Sequence, residues 1–130
     1  MYLLDTNTLI YFFKGLGDVA KNLFEHSPKQ IAIPTIVVYE LQVGIAKSTS
    51  PQKREKQLKT LFSQVEIMDF TSKEAKASAK IRANLESRGE PIGPMDTLIA
   101  GYALAHNYTL VTNNTKEFGK IDGIKLENWF

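Results

Sequence analysis

Cysteine is missing from all 130 residues. That excludes a disulfide scaffold, a zinc–thiolate site, an iron–sulfur cluster and a thiol nucleophile. It also fits a reducing compartment, and a cytoplasmic protein is expected. Long apolar runs are missing too, since no apolar stretch approaches the roughly 18 residues of a membrane helix. No basic leader precedes an apolar segment, and Asp5 interrupts the apolar start at once, so no signal peptide is expected. Neither sign of charge dominates. A net charge of +2 and a pI of about 8.8 permit a nucleic-acid partner without demanding one. There is no internal repeat, no low-complexity segment and no linker, so residues 1–130 read as a single domain. An apolar fraction of 43% is enough to bury one core.

Short apolar runs recur along the chain. Tyr2-Leu3-Leu4, Ile31-Ala32-Ile33, Val65 to Met68 and Thr109 to Thr112 read as strands, and Ile124 to Leu126 as a final one. Between them the spacing predicts helices over 8–14, 19–26, 35–47, 52–62, 71–88 and 95–106, with a helical turn over 113–118. Thr71 and Glu74 form a capping-box pair. Strands alternating with helices predict an α/β fold with a parallel sheet covered on both faces.

Three acids stand where charge is costly. Asp5 ends the first strand, Glu40 lies on the apolar stretch Ile36-Val-Val-Tyr-Glu-Leu, and Asp96 opens a helix after the Gly89–Pro94 loop. No lysine or arginine stands in these motifs. Ligands of open α/β sheets bind beyond the carboxyl ends of the strands, which is where Asp5 falls. Clustered carboxylates repel, and a divalent cation relieves the repulsion. An all-oxygen set points to Mg²⁺ or Mn²⁺ rather than Zn²⁺, and such ions serve phosphate chemistry. Each acid also has an ordinary reading. Asp5 can be a helix N-cap, Asp96 can favour the positive end of its helix, and Glu40 can be a partly exposed surface acid.

A fourth position is open. Asn114 and Glu117 match a capping box, and alternatively either one holds a second metal or its water shell. Thr6, Asn7 and Thr112 are candidates for hydrogen bonds that orient the acids, with turn or cap roles as the alternative.

At these residues the chain resembles the PIN-domain nucleases, specifically the VapC toxins of bacterial toxin–antitoxin pairs. The likeness is carried by Leu4-Asp-Thr-Asn7, Tyr39-Glu-Leu-Gln-Val-Gly44, Ile92-Gly-Pro-Met-Asp-Thr-Leu-Ile-Ala100 and Leu110-Val-Thr-Asn-Asn-Thr-Lys-Glu-Phe118, and it extends to Leu126-Glu-Asn-Trp129. It implies a PIN-like fold, a twisted parallel sheet of four to five strands flanked by helices. It places metal-binding roles on Asp5, Glu40 and Asp96. It also implies an Mg²⁺- or Mn²⁺-dependent endoribonuclease, a homodimer, and a cognate VapB-type antitoxin that blocks the site. Relatives of this pattern cut structured RNA such as tRNA, and the nearest are associated with initiator tRNA in its anticodon region. One departure is Asn114, where many PIN domains have Asp. A neutral amide weakens a second metal site unless Glu117 compensates.

Together these readings make Asp5 and Asp96 direct ligands. Glu40 binds the metal or its water, Glu117 is a further catalytic candidate, and Thr6, Asn7, Thr112 and Asn114 support them. Attraction of RNA is expected from Lys47, Lys53, Arg54, Lys56 and Lys59, with Lys14, Arg82, Arg88 and Lys116 bordering the cleft; a solvated charged face is the alternative. Tyr11, Phe12 and Phe13 belong to the core or to a partner face. A haloacid-dehalogenase-type phosphatase needs a second Asp where Asn7 stands, and a receiver domain needs paired acids at the first strand and a lysine after a late strand, where this chain has Thr112-Asn113-Asn114. The remaining rival is a non-catalytic RNA- or protein-binding module of the same fold.

Overall fold

The computed structural model describes all 130 residues. Its centre is a five-stranded, wholly parallel sheet made of β1 (Tyr2–Leu4), β2 (Ile31–Pro34), β3 (Glu66–Met68), β4 (Thr109–Val111) and β5 (Lys125–Glu127). The strand order is β3-β2-β1-β4-β5. The expected sheet is therefore present, with all five strands paired. All four residues of β2 are buried, as are Leu3, Leu4, Leu110 and Val111. This is why these strands read as unbroken apolar runs and not as alternating ones.

Helices α1 (Thr6–Lys14), α2 (Val19–Phe24), α3 (Thr35–Ala46), α4 (Pro51–Phe62), α5 (Ser72–Ser87), α6 (Pro94–His106) and α7 (Thr115–Phe118) fill the connections. Local chemistry sets their ends. Asp5 caps α1 through the Thr8 amide, and Gly15 closes it at φ 67°, a left-handed conformation that glycine adopts without strain. Proline opens α4 and α6, where its missing N–H costs nothing. The Thr71–Glu74 capping box forms as expected. A 3₁₀ turn at Pro28–Gln30 lies where the sequence reads only as a stop. No helix is long and apolar enough to cross a membrane.

Helices α5 and α6 pack together along their lengths. At one end Glu74 is buried and lies 3.6 Å from His106, whose ring stacks on Tyr102. Burial alone would push the Glu74 carboxyl up, but hydrogen bonds from Thr71 and the nearby His106 bring it below its ordinary value. Near the middle, a methyl added to Gly101 would stand 1.9 Å from Ser78 Oγ and 2.8 Å from its Cα. Gly101→Ala is therefore expected to destabilise the fold by about 2 kcal/mol. Overpacking costs about 1–3 kcal/mol and outweighs the better helix propensity of alanine, about 1 kcal/mol at most. A fall in the urea midpoint at unchanged slope would measure it, and an unchanged midpoint would contradict the close packing.

The strand order fixes the site. The connection from β1 leads to β2 on one side, and that from β4 leads to β5 on the other. In open α/β sheets the ligand crevice lies beyond the carboxyl ends of the strands where neighbouring connections diverge, which here are β1 and β4.

Candidate functional site

Asp5 follows β1 at that crevice and is 4% exposed. Its amide is held by the Val111 carbonyl of β4 (3.2 Å), and its Oδ1 accepts the Thr8 amide at 2.9 Å. Thr8 in turn donates its hydroxyl to the Val111 carbonyl. The capping reading of Asp5 is thus correct, and it leaves Oδ2 without a hydrogen-bond partner. One side chain can both cap the helix and serve the site.

Glu40 is half-buried on α3, a helix that packs against α1 and α6. Thr6 Oγ1 donates to Glu40 Oε1 at 2.6 Å, so Thr6 orients this acid as its assigned role requires. Asp96 lies in the first turn of α6, after Pro94. Thr97 Oγ1 bonds the Gly93 carbonyl at 2.9 Å and ties the loop to the helix that carries Asp96. Sequence reasoning passed over Thr8 and Thr97. The available signals were the cap spacing of three between Asp5 and Thr8 and the direct neighbourhood of Asp96 and Thr97.

The acids sense one another. Burial pushes the Asp96 carboxyl above its ordinary value, and the charges of Asp5, Glu40 and Glu117 push it further, in that order. None of Asp5, Glu40 and Asp96 has a lysine, arginine or histidine within ion-pair distance. Glu117 differs, because both of its oxygens meet Lys120 Nζ, at 3.3 and 3.2 Å. Asn114 makes no side-chain cap to α7, so the Asn114–Glu117 capping box does not form. With Glu117 drawn to Lys120, that reciprocal pair has lost a member. Thr112 is buried and accepts the Asn114 amide at 3.0 Å, which fixes the turn after β4. Asn7 is exposed and makes no side-chain hydrogen bond.

As they stand, no three Asp, Glu or His side chains converge tightly enough to enclose an ion. The donor chemistry nevertheless fits a hard divalent cation. Three carboxylates share one field, they lack a cationic partner, and one is strained by the others' charge.

The basic candidates divide. Lys14, Lys47 and Arg54 line the same cavity of about 470 Å³ as Glu40. Lys53 and Lys56 line a neighbouring one with Phe12 and Phe13. Arg82 instead pairs with Glu86, and Arg88 meets the Lys120 carbonyl and Asp122. Lys59 and Lys116 are exposed and without an acidic partner.

Comparison with known proteins places this arrangement. A family model described as PIN domain matches residues 2–124. The chain is 42% identical to Ribonuclease VapC2 of Rickettsia felis, covering 99% of this chain and 98% of that one. It is 34% identical to the tRNA(fMet)-specific endonuclease VapC of Salmonella typhimurium, over 98% and 97% of the two chains. Among solved structures it is similar to VapBC2 from Rickettsia felis bound to a promoter DNA fragment, with TM-score 0.90, 40% identity and coverage of 99% and 98%. It is also similar to DNA-bound VapBC from Salmonella typhimurium, with TM-score 0.92, 33% identity and coverage of 99% and 98%.

Proposed function

The chain belongs to the PIN-domain family, and from that premise we propose that it is a VapC-type ribonuclease toxin of a toxin–antitoxin pair. We further propose that it is a metal-dependent endoribonuclease. The observation that carries this reading is the trio Asp5, Glu40 and Asp96 at the β1–β4 crevice, unpaired and electrostatically coupled.

In the proposed mechanism Asp5 and Asp96 hold a divalent cation, Mg²⁺ or Mn²⁺. When bound, the ion offsets phosphate charge and steadies the leaving oxygen. Thr6 occupies Glu40 Oε1, which leaves Oε2 to accept a proton from the attacking water. The water oxygen bonds to phosphorus as the bond from phosphorus to the ribose oxygen breaks, and that oxygen takes up a proton from solvent. Asp5 is kept in place by Thr8, and Asp96 by the loop that Thr97 fastens. Glu117, engaged by Lys120, is not a ligand in this mechanism, though its charge still raises the Asp96 carboxyl.

Initiator tRNA is the proposed substrate, supported by the names of similar proteins. A VapB-type antitoxin is the proposed inhibitor, supported by the solved VapBC complexes. Phe24, Tyr39, Leu16 and Val43 are exposed and give such a partner apolar ground to cover. The same reading includes a homodimer and a cytoplasmic location.

The test is cleavage of purified tRNA. Product bands should appear with Mg²⁺ or Mn²⁺ and vanish with EDTA. The same ions should raise Tm, because a ligand that binds only the folded state stabilises it. Cleavage that persists in EDTA would remove the metal from the mechanism, and an inert protein in every ion would leave only a binding module.

A further inference from the structure

Two cavities adjoin on the face made by α1, α3 and α4, and Phe13 lines both. The first, about 470 Å³, begins at Glu40 and is rimmed by Lys14, Lys47 and Arg54. The second, about 420 Å³, carries Lys53 and Lys56. None of these five cations has an acidic partner within ion-pair distance, whereas Arg82, Arg88 and Lys120 all do. Glu40 is the only acid among the residues lining the two cavities. Arg54 is half-buried and lines the first cavity, and its guanidinium is steadied by Gln57 at 3.0 Å. The floor between the cations is apolar, and Phe13 stands at the junction.

We propose that these joined cavities form a track for unpaired RNA leading away from the acid site. Lys47 and Arg54 hold the phosphate next to the one that is cut, Phe13 stacks a base, and Lys53 with Lys56 hold the strand beyond. Acids that attract a metal repel the rest of the polyanion, so phosphates outside the reacting one need cations close by. Lysines and an arginine at the rim with an aromatic on the floor are the arrangement that takes single strands, because every base has a face to stack while a duplex keeps its bases inside. The ribonuclease reading supplies the identity of the ligand, and the track adds which strand form is held and by which residues.

The experiment is fluorescence anisotropy in EDTA with a labelled ten-nucleotide RNA of mixed sequence, single-stranded or annealed to its complement. Without divalent ions nothing is cut, so binding is read apart from catalysis. The single strand should bind more tightly than the duplex. Lys47→Ala with Arg54→Ala should weaken it about tenfold and lower the salt slope by roughly 1.4, two contacts at about 0.7 each. Phe13→Leu keeps the apolar packing and should also weaken binding about tenfold, with the slope unchanged. Lys76→Ala with Lys80→Ala, on the exposed face of α5, should change neither. Unaltered affinity and slope in the Lys47/Arg54 variant would overturn the track and leave this face to a protein partner. Preference for the duplex, or equal loss in the α5 control, would overturn it as well. Normal RNA binding without cleavage in any ion would defeat the nuclease reading alone.

Discussion

Asp96→Asn is expected to stop RNA cleavage and, at neutral pH in EDTA, to melt higher than the parent. The Asp96 carboxyl is pushed up by burial first and then by Asp5, Glu40 and Glu117. For an acid raised in the folded state, the favourable balance holds below the unfolded value and is lost as pH rises through the folded one. Above that window the ionised carboxylate costs stability, and an amide of the same shape does not. The gain in Tm should therefore be absent near pH 3 and grow as pH climbs past about 4. Cleavage should fall about 10³-fold, because holding a cation that stabilises the reacting phosphate is worth several kcal/mol and each 1.36 kcal/mol is a factor of ten. Asp5→Asn gives the matching control. Asparagine caps a helix as well as aspartate does, so the Thr8 amide keeps its acceptor and Tm should hardly move while cleavage falls comparably. Full activity in either variant, or a lower Tm for Asp96→Asn at pH 7 in EDTA, would refute the assignment.

The second large effect is on stability. Trp129 is 4% exposed, stacks on His26 at 4.7 Å and leans on Tyr2 at 5.3 Å. Its indole N–H bonds Glu127 Oε1 at 3.0 Å, and its carbonyl accepts the Asn22 side-chain Nδ2 at 2.9 Å. Its ring thus joins β1, the end of α2 and the segment after β5. Trp129→Ala should cost about 3–5 kcal/mol, the usual loss for a buried large aromatic. A domain of this size has only about 5–15 kcal/mol in all, so the variant should be partly unfolded at 37 °C. Trp129→Phe retains a stacking ring and should lose roughly 1–2 kcal/mol, the sum of a smaller void and one missing hydrogen bond. Urea denaturation of the two variants would order them, and equal midpoints for both and the parent would contradict the packing.

The strands were readable because a parallel sheet buries both faces, so that Leu3-Leu4, Ile31-Ala32-Ile33 and Leu110-Val111 need no alternation to be recognised. Helix ends set by local chemistry were readable too, as at Thr71 with Glu74 and at Pro94. What depended on distant contacts was not. Nothing in the α5 pattern shows that Ser78 touches Gly101, or that Glu74 is buried against His106 and not merely capping. Glu117 fails as a capping partner because Lys120 competes for it one turn on. The three acids stood out as charges on apolar stretches or at element ends. Their coupling to one another came only with the strand order, and the division of the cations into paired and unpaired sets came only with side-chain placement.

The β1–β4 pairing joins Tyr2 to Thr109 and holds the Asp5 amide on Val111. While a ribosome is still translating, Asp5 has long since emerged, but the strand that fixes it in place has not been made. Until Val111 clears the exit tunnel, Asp5 and Asp96 have no shared crevice. The site is thus completed late in synthesis, a delay that the order of the strands alone imposes.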